Sequence, residues 1–93
     1  MLVGVCTIRL HLPEAGSLKD KRRVIKSMLD RIHSRFNVSI AEVEDQDVWQ
    51  VATLGVAVVS NGEAHIHEVL AAVVNAVDGY RQVEMLEYQV QIV

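Results

Sequence analysis

Aromatic side chains are scarce in this chain. One Trp, two Tyr and one Phe make up 4% of its 93 residues, although 51% of the sequence is hydrophobic. A core built from this composition must be aliphatic, from Val, Ile, Leu and Ala, and the apolar content excludes disorder. A single cysteine, Cys6, can form neither an internal disulfide nor a zinc site by itself, which fits a reducing, cytoplasmic setting. No apolar run approaches the roughly 20 residues of a membrane span. The opening MLVGVCTIRLHL has no basic leader region and carries Arg9 and His11, so no signal peptide is expected. Glycine-rich phosphate loops are missing as well. The Pro13–Ser17 stretch has one glycine and no G-x-x-x-x-G-K pattern.

What remains reads as one domain, residues 1–93. Leu2–Leu12 alternates, with Leu2, Gly4, Cys6, Ile8, Leu10 and Leu12 on one side, as a strand does. Ser17 and Asp20 resemble a capping box before a helix over Leu18–Phe36. The apolar positions of that helix, Leu18, Ile25, Met28, Leu29, Ile32 and Phe36, fall on one stripe. Strands are expected over Asn37–Glu44, with a bulge where the apolar parity shifts between Ile40 and Ala41, and over Gln50–Ser60, which is apolar on both faces. Ser60 and Glu63 suggest a second capping box, followed by a helix with Ile66, Val69, Leu70, Val73 and Val77 inward and Gly79 as its stop. Arg81–Val93 is the last expected strand. The order β-α-β-β-α-β predicts an α+β, ferredoxin-like sandwich: one antiparallel sheet, strand order 4-1-3-2, with both helices on one face. The other sheet face is then uncovered. It carries Val3, Val5, Thr53, Ala57 and Val59 in its centre, an apolar surface of the kind that meets a partner.

Charge is unevenly distributed. Seven of the nine Lys and Arg residues lie between Lys19 and Arg35. Ser17–Phe36 has a net charge of +5 and the rest of the chain −8. Lys19, Lys21, Arg22 and Arg23 crowd the first turns of the helix, the end that the macrodipole already makes positive. A local rule broken in this way points to a site. Lys19, Arg22, Arg23 and Lys26 follow i, i+3, i+4, i+7 spacing and share one stripe, suited to tracking phosphates, with arginine offering bidentate forks. The alternative is a solvated face balanced by acidic neighbours. Lys21 falls on the apolar side instead. It is a further anion-binding candidate beside the loop, or else it pairs with a carboxylate.

The chain resembles the YlxP-like family of small bacterial proteins in three stretches: LHLPEAGSLKDKRRVIKSML, RFNVSIAEVEDQDVWQ and ATLGVAVVSN. Ser17–Arg22 is the sharpest match. The resemblance implies a ferredoxin-like fold. Genes of this family often lie beside translation and ribosome-maturation genes, which implies a role near RNA by association. The resemblance supplies no catalytic residues.

Other candidates are weaker. Glu42, Glu44, Asp45 and Asp47 form an acidic turn without the spacing of a calcium loop, and a solvated turn or one docked on the basic helix is the simpler reading. His65 and His67 point about 200° apart on a helix, so they do not share a metal. Trp49 is a lid or an interface anchor. No nucleophile–base constellation is visible, so neither enzyme activity nor a cofactor is expected. The expected function is RNA or ribosome association through the first helix. RNA readers of this fold stack bases on sheet-face aromatics, and strands one and three supply none. The alternative is a homo-oligomeric regulatory or small-anion-binding module, paired through Val3, Val5, Trp49, Ala57 and Val59.

Overall fold

The computed structural model describes all residues, Met1–Val93. Six elements follow in the expected order: β1 (Leu2–His11), α1 (Leu18–Arg35), β2 (Ser39–Glu44), β3 (Val51–Ser60), α2 (Glu63–Asp78) and β4 (Glu84–Ile92). They form one antiparallel sheet of order β2-β3-β1-β4, which is 4-1-3-2 read from the other edge. The protein has the ferredoxin-like α+β fold.

The core follows from the period-two pattern of β1. Cys6, Ile8 and Leu10 are fully buried on the helix side, facing Ile25, Met28 and Ile32 of α1 and Ile66, Leu70, Val73 and Val77 of α2. Burial pushes the Cys6 thiol above its ordinary pKa, as a small apolar core residue requires. Gly4 leaves room in β1 for the Ile66 side chain of α2. A Cβ there would overlap the Ile66 side chain and press on Leu70 and Val58.

Three local expectations are corrected. The parity shift in β2 is not a bulge at Ile40–Ala41. Ile40 pairs with Val56 and Ala41 with Gly55 in unbroken register, and the irregularity falls between Glu42 and Glu44. The inner position that an apolar residue would fill is taken by Glu42, while Val43 lies over Gly55 on the other face. The second capping box is not formed. β3 runs through Ser60, Gly62 is the N-cap of α2, and the Ser60 hydroxyl accepts the Gly62 N–H at 3.1 Å. Gly79 ends α2 with a right-handed backbone, its N–H bonded back to the carbonyls of Asn75 and Val77. Finally, β4 starts at Glu84 rather than Arg81, because the chain first turns at Tyr80–Val83 and sinks Val83 into the core.

The helix-free face of the sheet pairs Val3 with Val59 and Val5 with Ala57 across β1 and β3. Val59 is 61% exposed and Val43 49% exposed, whereas Val3, Val5 and Ala57 are half-buried. Polar residues frame this strip. Arg9 lies opposite Glu87, 3.8 Å away, and Gln89 and Gln91 pair with Thr7 and Val5. Thr53 is buried rather than part of an open surface, because its hydroxyl donates to the Asp45 carboxylate at 2.7 Å.

Candidate functional site: the basic helix and its buried lysine

The first turn of α1 is closed by its own residues. Ser17 is the N-cap, and its hydroxyl accepts the Asp20 N–H at 3.1 Å. The Asp20 carboxylate reaches back to the Gly16 N–H, also at 3.1 Å. The carboxylate of Asp20 therefore already supplies the anion that the dipole end favours.

Lys21, one turn on, has no exposed surface. Its Nζ donates to the carbonyl oxygens of Asp45 and Val48, each at 2.6 Å, and of Val51 at 2.9 Å. These bonds use all three ammonium protons. An oxygen of the Glu42 carboxylate, itself 15% exposed, stands 2.7 Å away as the charge partner, without a hydrogen bond of its own. One cation thus pins the start of α1 to the whole β2–β3 connection. That connection needs pinning: Asp45 has a left-handed backbone (φ 63°), a conformation Asp tolerates better than most residues. Its side chain is held by Thr53, and the Val48 N–H returns to the Asp45 carbonyl at 3.0 Å.

Lys21 is accordingly removed from the anion-binding set. A buried ammonium with three carbonyls and a carboxylate has no donor left for a ligand. The acidic turn is likewise divided, with Glu42 facing Lys21 and Asp45 facing Thr53. No group of three or more His, Cys, Asp or Glu side chains is arranged to hold a metal ion.

Lys19, Arg22, Arg23 and Lys26 are all exposed. Lys26 pairs with Asp30 one turn away at 3.0 Å. Lys19, Arg22 and Arg23 have no carboxylate within ion-pair distance. The acidic hairpin thus balances only the inner lysine, and the outer cations face solvent. A trough of about 380 Å³ runs beside them between α1 and β2, lined by Arg22, Lys26 and His33 together with Asp30 and Glu42.

Three arginines escaped the sequence reading. Arg31 and Arg35 lie on the α2 side of α1, and Arg81 lies just after α2. All three line a larger groove of about 800 Å³ between the helices. Helical phase places Arg31 and Arg35 away from the Lys19 stripe, but only the packing of α2 tells what they face.

Among the remaining candidates, Trp49 is half-exposed. His65 and His67 lie near Glu68 and Glu63 respectively, as exposed pairs at 4.0 and 3.7 Å, and do not converge. His11 meets Glu84 at 3.2 Å.

A small ferredoxin-like domain whose first helix carries an exposed basic face, with Lys19, Arg22 and Arg23 unpaired, over one buried, fully bonded lysine is the class these features define. The chain belongs to the family described as protein of unknown function (DUF503), whose model matches residues 3–90. It is similar to the uncharacterized protein YlxP of Bacillus subtilis (strain 168), with 36% identity over 83 residues, covering 89% of this chain and 90% of that relative. The Ser17–Arg22 motif that carries the resemblance now has a physical reading in part: Ser17 caps the helix, Asp20 closes the cap and Lys21 ties in the hairpin.

Proposed function

We propose that the protein is a non-enzymatic binding module that holds RNA, free or in the ribosome, by its phosphates on the outer face of α1. The observation that carries this reading is that Lys19, Arg22 and Arg23 are exposed and unpaired at the helix end where cations are least favoured. Phosphate contacts position a nucleic acid without reading its sequence, so the recognition expected is of backbone and shape. The central strands offer no aromatic platform for bases.

A salt titration tests it. Four phosphate contacts to single-stranded RNA give a slope of log K against log salt of about −3, at about 0.7 per contact. A slope below about 1 in magnitude, or no binding at low salt, defeats the RNA reading. The shallow slope would instead favour a single small anion.

The apolar strip Val3, Val5, Ala57 and Val59 supports a second feature, self-association through the helix-free sheet face. One self-complementary patch gives a two-fold dimer. Light scattering at micromolar concentration should return about twice the 10.4 kDa chain mass. A monomer removes this second feature and leaves the first intact.

A further inference from the structure

The groove between α1 and α2 has the makings of a second site, distinct from the outer stripe. Its α2 wall is built from Ala72, Ala76 and Gly79, side chains too small to fill the space beside α1. Three guanidinium groups line it, from Arg31, Arg35 and Arg81, and no carboxylate does. None of the three has an ion-pair partner in the chain. Arg31 lies over the Tyr80 ring, 5.6 Å from its centroid, and Arg35 over the Phe36 ring at 5.1 Å. A cation–π contact restrains each of these two guanidinium groups without using up its N–H donors, which stay available to phosphate oxygens. The Tyr80 hydroxyl is buried with no hydrogen-bond partner, an unmet polar group of a kind that folded proteins rarely leave. Asn75 and Gln82 add amide donors and acceptors in the same lining.

We infer that this groove binds a nucleotide, with the arginines taking the phosphates and the base lying flat along the small-residue wall. The charge requires an anion. The Tyr80 and Phe36 rings beside Arg31 and Arg35 keep the groove's floor suited to a flat ring. The amides and the tyrosine hydroxyl suit the polar edge of a base. At about 800 Å³ the groove is within the range of small-ligand sites. A free nucleotide and one nucleotide of an RNA strand share this chemistry.

The test is an NMR titration of the intact chain, following arginine Nε–H and side-chain amide signals, with ADP, adenosine, inorganic phosphate and a single-stranded RNA octamer as separate probes. ADP should shift Arg31, Arg35, Arg81, Asn75 and Gln82 and bind at least about tenfold more tightly than phosphate or adenosine, because each of those supplies half of the contacts. Arg81→Gln should weaken ADP about tenfold, the loss of a charge-assisted bidentate pair. Arg31→Lys, which keeps the charge but loses the fork, should weaken it several-fold and leave the thermal melt unchanged. Lys19→Gln should leave ADP binding as it is, which separates this site from the outer stripe. Octamer shifts at the same groove signals, competed by ADP, identify RNA as the source. ADP shifts with a silent octamer identify a free nucleotide. ADP binding no tighter than phosphate, or ADP shifts confined to Lys19–Lys26, or none at millimolar ADP, overturns the inference.

Discussion

Lys21→Met should destabilise the protein by about 3–5 kcal/mol, the cost of removing one partner from a buried ion pair. Methionine fills similar volume, so the loss is not mainly a cavity. It leaves the Glu42 carboxylate without its cation and the carbonyls of Asp45, Val48 and Val51 without their shared donor. Domains of this size are stable by about 5–15 kcal/mol in total, so the variant should be close to unfolding in mild denaturant. Pairing it with Glu42→Gln should recover part of the loss, because the stranded charge is then gone. A coupling energy of about 0.5–3 kcal/mol is the usual range for residues in one such network. Hydrogen exchange should locate the damage: amides of residues 45–51 lose protection before those of the α2 core. Urea midpoints for Lys21→Met within about 0.5 kcal/mol of the parent would mean that this lysine is not the anchor of the hairpin.

The second large effect is on binding. Changing Lys19, Arg22, Arg23 and Lys26 together to Gln should lower affinity for single-stranded RNA by about 600-fold at 0.1 M salt. Each phosphate contact contributes about 0.7 to the salt exponent, or about fivefold at that concentration. Stability should stay level or rise. Removing cations from the first turns relieves an unfavourable dipole interaction of about 0.3–1 kcal/mol per charge near the end. The only ion pair lost is Lys26–Asp30, which is exposed on both sides and worth at most about 1 kcal/mol. Gln keeps most of the helix propensity of Lys and Arg. If the outer cations were structural, the same variant would melt lower and bind as the parent does. The two substitution sets should therefore divide one helix: the inner lysine is expected to move stability, and the outer four to move affinity.

The sequence made the α1 side of this division legible because helical phase is reliable over eighteen residues. It separated Lys21 from Lys19, Arg22, Arg23 and Lys26, and it placed Ser17 as a cap. The partner of Lys21 was less accessible. Glu42 stands at an inward position of β2, where a carboxylate breaks the apolar alternation, and within the strand alone that break resembles a bulge between Ile40 and Ala41. Two facts not visible in one strand would have resolved it: a cation waits opposite, and Val43 covers Gly55 on the other face. The fold class came from element order and the alternation of β1, both local patterns. Element ends were harder to place wherever an apolar residue serves a turn, as Val83 does before β4. The edge position of β4 follows from the expected strand order, but its exposure does not. Tyr88 and Val90 pair with Ile8 and Cys6 on the core side, yet Tyr88 stays 53% exposed and Val90 37% exposed at the sheet edge. The arginine groove depends on how two helices sit side by side, which no single segment encodes.

RNA binding by the outer cations of α1 is the proposal, and mapping the contact surface tests it most directly. Single-stranded RNA titrated into the isotope-labelled protein at low salt should shift the side-chain signals of Lys19, Arg22, Arg23 and Lys26 and leave Lys21 unmoved. Saturable shifts on Val3, Val5, Ala57 and Val59 instead, or no shifts on the helix at millimolar RNA, would contradict it.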